Sequence, residues 1–194
     1  MVPNRSDSSD WRSSSATNEQ GIELRRGSSP SEWQSAALAR RAEATTAVVT
    51  PPQHWKDVEW QQLWLATQRR RWRSLALVPA GEMPPDFTLD IAVGLVQTGS
   101  LHLGMPIRVA DATQVPLAHL MQFTSELDAV VAAGDLVLVA LGPVRSNPTT
   151  VALAQASDNA LLCVPLGHSS VSDAKRTVAE VGAQRFLGSA VFRL

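Results

Sequence analysis

Five short, almost uniformly apolar runs alternate with helix-patterned stretches, and this alternation limits the folds open to the chain. The runs are Leu75–Val78, Ile107–Ala110, Leu136–Leu141, Ala160–Leu166 and Leu187–Val191. A strand that alternates polar and apolar residues has one wet face, whereas a short continuous apolar run reads as a strand covered on both faces of a parallel sheet. Helical patterns fall between the runs, near 88–98, 116–122, 148–157 and 170–182. Ahead of the first run, Val58, Trp60, Leu63, Trp64 and Thr67 recur at helical spacing and predict an amphipathic helix over 56–70. Parallel strands need crossover helices, and those crossovers are right-handed. The expected fold is therefore α/β: a three-layer sandwich around a mostly parallel sheet.

This domain occupies 53–194. Residues 1–52 have a different character, with ten serines by position 35 and the turn chemistry of Gly27-Ser28-Ser29-Pro30. Such a segment buries too little apolar surface to offset its ordering entropy and reads as a disordered tail. Within it, 31–44 has the pattern of a short helix that needs a partner to persist. Pro51-Pro52 closes the tail.

Composition excludes several classes of function. The 17 Lys+Arg balance 18 Asp+Glu, so bulk charge does not describe a nucleic-acid binder. No run of 18 apolar residues exists to span a membrane, and the N-terminus lacks the apolar core of a secretory signal. The single cysteine, Cys163, excludes an intramolecular disulfide and suits the reducing cytosol. The four histidines are scattered, so no metal site is expected.

In a parallel α/β domain, ligands bind beyond the carboxyl ends of the strands. The first run leads into Pro79-Ala80-Gly81-Glu82-Met83-Pro84-Pro85-Asp86-Phe87-Thr88 and then a helix, which is where a phosphate-binding loop belongs. Along residues 56–194 six segments follow one another in a familiar order: Glu59–Thr67, Ile91–Gly99, Ile107–Pro116, Asp135–Pro143, Ser157–Gly167 and Ala183–Val191. Taken together they resemble the cytoplasmic ATPase domain of the CpsD/CapB bacterial tyrosine kinases of capsule and exopolysaccharide synthesis. Those kinases are relatives of the MinD/ParA ATPases. The resemblance implies a P-loop NTPase-like fold.

It also implies chemistry that the residues do not supply. A phosphate loop needs converging backbone N–H groups, a lysine and a Ser/Thr hydroxyl for Mg²⁺. Here the lysine and hydroxyl slots fall on or near Pro84, Pro85 and Asp86, and no lysine stands between Lys56 and Lys175. The degenerate loop is thus Gly81, Pro84, Pro85, Asp86 and Thr88, with Thr88 the remaining hydroxyl and Asp111 the remaining carboxylate. Ala140 stands where the resemblance places a Mg²⁺-organising aspartate, and Phe192 near the adenine-reading asparagine. No cation-bearing side chain is expected at the loop, no catalytic residue is assigned, and no cofactor is expected. The resemblance further implies a tyrosine cluster, but the chain contains no tyrosine.

These features predict a catalytically inactive pseudokinase. The resemblance implies a cytoplasmic binding or regulatory subunit of polysaccharide synthesis, held at the inner membrane through a partner. The partner that the resemblance implies is a membrane polysaccharide co-polymerase or an active kinase paralogue. Two rival readings keep a function for the nucleotide or for the tail. One is a working kinase or ATPase that binds Mg·ATP through an atypical loop, Thr88 and Asp111. The other is a positioning scaffold of the Min/Par type.

The expected contact region is Trp60, Trp64, Arg69, Arg70, Arg71, Trp72 and Arg73. Tryptophan anchors interfaces and a guanidinium cluster suits an acidic partner. The competing explanation is internal: tryptophans packed on the sheet and arginines solvating a helix end.

Overall fold

The computed structural model describes residues 57–84 and 86–193. The expected tail over 1–52, its helix over 31–44 and Pro85 lie outside the described residues.

The described chain is an α/β domain built on five parallel strands. In chain order the elements are α1 (Val58–Thr67), β1 (Ser74–Pro79), α2 (Asp86–Leu103), β2 (Ile107–Ala112), α3 (Leu120–Ala132), β3 (Leu136–Leu141), α4 (Thr149–Ala156), β4 (Asn159–Pro165), α5 (Val171–Val181) and β5 (Phe186–Phe192). The helical pattern read over 116–122 is the start of something longer, a 3₁₀ turn at Leu117–His119 that leads into α3. The strands lie in the order β2-β3-β1-β4-β5, and every pair is parallel.

Side-chain alternation along the strands divides the core into two layers. Leu75, Leu77, Leu138, Ala140, Leu161 and Cys163 face Trp64 of α1 and Phe87, Ile91, Ala92 and Leu95 of α2. Ala76, Val78, Val137, Val139, Leu141 and Ala160 face Leu127 of α3, Leu153 and Ala154 of α4 and Val181 of α5. Strand order explains the split. The step from β1 to β2 runs one way along the sheet, whereas the steps β2–β3, β3–β4 and β4–β5 run the other way. Right-handed crossovers in opposite directions must use opposite faces.

Burial on both faces holds for β1, β3 and most of β4 but not for the edges. In β2 only Ile107 and Ala112 are buried, and in β5 no residue is. An apolar run cannot by itself report whether its strand has neighbours on both sides. A carboxylate ties the starts of two central strands together. Asp158 accepts from the Arg73 N–H (2.6 Å) and the Ser74 N–H (3.0 Å), while its own N–H donates to the Ser74 hydroxyl (2.9 Å). Among the described residues, no helix is long and apolar enough to cross a membrane.

Candidate functional site

The reversal of strand order places a crevice at the carboxyl end of β1, flanked by the exits of β3 and β4. Three loops converge there. The loop after β1 begins with the Ala80 N–H donating to the Cys163 carbonyl (2.9 Å), and the Ser169 hydroxyl donates to the Ala80 carbonyl. Gly81 then takes φ +87°, a left-handed conformation that side chains disfavour. Pro84, which has no N–H to offer a phosphate, accepts from Phe87 N–H (3.1 Å) and so starts α2.

Asp86 stands exposed in the first turn of α2. The partial positive charge that a helix N-terminus presents to a phosphate therefore meets the chain's own carboxylate. Thr88 is 2% exposed, and its hydroxyl donates to the Leu141 carbonyl at the end of β3 (2.7 Å). The hydroxyl singled out as a Mg²⁺ ligand thus pins α2 to the sheet.

Asp111, the other retained group, is half-buried at the end of β2. One of its oxygens accepts from both the N–H (3.1 Å) and the hydroxyl (2.7 Å) of Thr113, which fixes the turn that leaves the strand. That turn is laced to the loop after β3. The Asn147 amide donates to the Thr113 carbonyl (3.2 Å), and the Thr149 hydroxyl lies 2.8 Å from the Val115 carbonyl. A cleft of about 400 Å³ opens between them. It is lined by Met83, Thr113, Gln114, Pro116, Ser146 and Asn147 among others, and none of its described lining residues is charged. Ala140 and Leu141 are fully buried at the end of β3, so no carboxylate enters from the strand beside β1.

The expectation that no cation reaches the loop does not hold. Arg145, from the loop after β3, and Arg176, from α5, line a small cavity together with Gly81 and Glu82. Its volume is about 30 Å³, room for one water. Asp173 and Glu180 line the same cavity, so among the described residues two guanidiniums meet three carboxylates. The balance is acidic and does not make a triphosphate site. Nothing in the local sequence flags the two arginines, because only the fold carries them to Gly81. Among the described residues no cluster of three or more His, Cys, Asp or Glu could hold a metal ion. Cys163 is fully buried, and desolvation pushes its thiol far above the ordinary cysteine range.

The expected contact region separates into interior and surface. Trp64 and Trp72 are core residues, 1% and 7% exposed, packed edge to face at 6.0 Å. The Trp72 indole N–H donates to the Thr67 carbonyl (3.0 Å). Both side chains belong to the packing explanation, because hydrophobic burial under α1 has already covered the surface that a partner would need. Trp60 is half-buried over Gly94, its ring 6.1 Å from that of Phe192. Arg69, Arg70 and Arg71 are exposed at the amino ends of the strands, the edge opposite the crevice. Arg73 is anchored through its guanidinium to the Gly134 carbonyl (2.8 Å).

No protein-family model matches the chain, and a search of curated proteins finds no relative.

Proposed function

We propose that this domain is a nucleotide-fold binding subunit that performs no phosphoryl transfer. By its resemblance to the CpsD/CapB kinases, it serves as a cytoplasmic regulatory partner in exopolysaccharide or capsule synthesis. The observation that carries the reading is the Thr88 hydroxyl donating to the Leu141 carbonyl. Phosphoryl transfer relies on positioning and on charge neutralisation by Mg²⁺ and lysine. In this crevice the hydroxyl is committed to the backbone, Asp86 occupies the helix terminus, and Arg145 and Arg176 are offset by neighbouring carboxylates. The family link rests on analogy of motif order rather than on a site.

On this reading the partner meets the exposed face of α1. Val58, Gln62 and Leu65 form an outward stripe on α1 that continues into Arg69–Arg71. Val58 and Leu65, 60% and 58% exposed, would form the apolar centre of that contact, with acidic groups of the partner meeting the arginines at its rim. Calorimetric titration of the full chain with Mg·ATP and Mg·ADP tests the proposal. No heat of binding is expected up to millimolar nucleotide, and a micromolar dissociation constant overturns the reading.

A further inference from the structure

The strand β5 lies at one edge of the sheet, with β4 on one side and no described strand on the other. Its sequence, Phe-Leu-Gly-Ser-Ala-Val-Phe, contains no charge and no proline, the devices by which edges are usually protected. The Phe192 carbonyl accepts from the Leu166 N–H on the β4 side (2.7 Å). Alternation then points the backbone groups of Ser189 and Val191 towards the open side. Val191 is 63% exposed.

We propose that residues Ala44–Thr50 of this same chain, read above as part of a disordered tail when taken by themselves, dock on that edge as a sixth parallel strand. Their sequence, Ala-Thr-Thr-Ala-Val-Val-Thr, is uncharged, and five of its seven residues are β-branched. Pro51 follows, where a strand must stop for want of a donor.

Reach and handedness support the same placement independently. Trp60, one turn into α1, touches Phe192, so α1 begins at the carboxyl end of β5. A strand parallel to β5 ends at that same level. The seven peptide steps from Thr50 to Asp57 span up to about 25 Å, against a layer spacing of about 10 Å. A strand beyond β5, followed by α1 and then β1, moves along the sheet in the direction of the β1–α2–β2 crossover. It also passes over the same face. The connection is therefore right-handed, as nearly all such connections are.

The stop at Pro51 sets the register, with the last residue before it placed at the last residue of β5. Placing Thr50 beside Phe192 sets Val49 beside Val191 and Ala47 beside Ser189. A second copy fits less well. Antiparallel pairing of two β5 strands centred on Ser189 brings Arg185 of each copy across from Arg193 of the other.

Two measurements on the full chain test the proposal. Hydrogen exchange read by mass spectrometry is expected to show slowed amides in 44–50 and in 186–192. In Val48→Pro both segments should speed up by about tenfold or more, as expected when a sheet edge opens locally. Unchanged exchange in 186–192 overturns the proposal. The double variant Ala47→Cys, Ser189→Cys is expected to form a disulfide within one chain under mild oxidation, because adjacent strands hold Cα atoms within disulfide reach. Linkage only between chains identifies a second copy as the occupant and overturns the proposal, and so does failure to link.

Discussion

Thr88 shows why a residue read correctly as a type can be misread as a role. The sequence places a hydroxyl one turn into the helix after β1, which is where Mg²⁺ chemistry places one. The direction of its O–H depends on β3, which is 53 residues away in the chain. Thr88→Val keeps the shape and removes the donor, leaving the buried Leu141 carbonyl without its partner. The expected cost is about 1–3 kcal/mol, read as a lower urea midpoint. Two glycines of α2 give a sharper comparison. A Cβ at Gly94 would meet the Trp60 ring at 2.6 Å, and one at Gly99 would meet the Trp64 ring at 2.5 Å. Alanine gains about 1 kcal/mol of helix propensity at either site, while overpacking costs about 1–3 kcal/mol. Trp60 is only half-buried, whereas Trp64 is enclosed and Ile107 also crowds a Cβ at Gly99, at 2.6 Å. Gly99→Ala is therefore expected to destabilise clearly more than Gly94→Ala, and equal urea midpoints for the two variants would contradict this account of the α1–α2 contact.

At the level of elements, strands were more legible than their neighbourhoods. Leu136–Leu141 is a strand over the span its apolar run predicts. Ile107–Ala110 and Leu187–Val191 are strands too, but they lie at the sheet edges, which periodicity cannot report because strand order is a tertiary property. α5 is set by its own sequence. Ser170 accepts from the Asp173 N–H (3.0 Å), and the Asp173 carboxylate accepts from the Ser170 N–H (3.2 Å), forming a capping box. The Ser170 hydroxyl and backbone hydrogen bonds hold the Asp173 carboxyl below its ordinary range, with Arg176 and Arg145 adding to the effect. A depressed carboxyl contributes stability that is fully present above its unfolded pKa of about 3.9 and disappears as pH falls through the folded value. Ser170→Ala is expected to cost about 1 kcal/mol at pH 7. As pH falls below about 3.9 the difference from wild type should narrow in urea titrations, since protonation of Asp173 weakens the box in the parent. A penalty independent of pH would assign the loss to something other than this reciprocal pair.

For the whole molecule, alternation of apolar runs and helical patterns was enough to define the layers. The crevice was placed by topology, but its electrostatics were not legible, because Arg145, Arg176, Asp173 and Glu180 come from loops and helices far along the chain. Burial of Trp64 and Trp72 was legible only as one of two explanations, since helical spacing describes a face without saying what covers it. The same sheet supplies a probe of how the molecule opens. Cys163 sits fully buried in β4, between β1 and β5, beyond which no described strand lies. Burial shields the sulfur from reagents and pushes its thiol above the ordinary cysteine range in the folded state. A thiol reagent therefore reads the opening of β4. If β4 and β5 open only with the whole domain, the labelling rate rises with urea along the slope of global unfolding. We expect that steep dependence in the full chain. In Val48→Pro, with the edge of β5 bared, a shallow component is expected at low urea, because peeling β5 exposes Cys163 while the rest of the sheet stays folded. Identical steep slopes in both proteins would mean that β5 needs no cover to hold its place, a result that counts against a sixth strand even if the two segments touch.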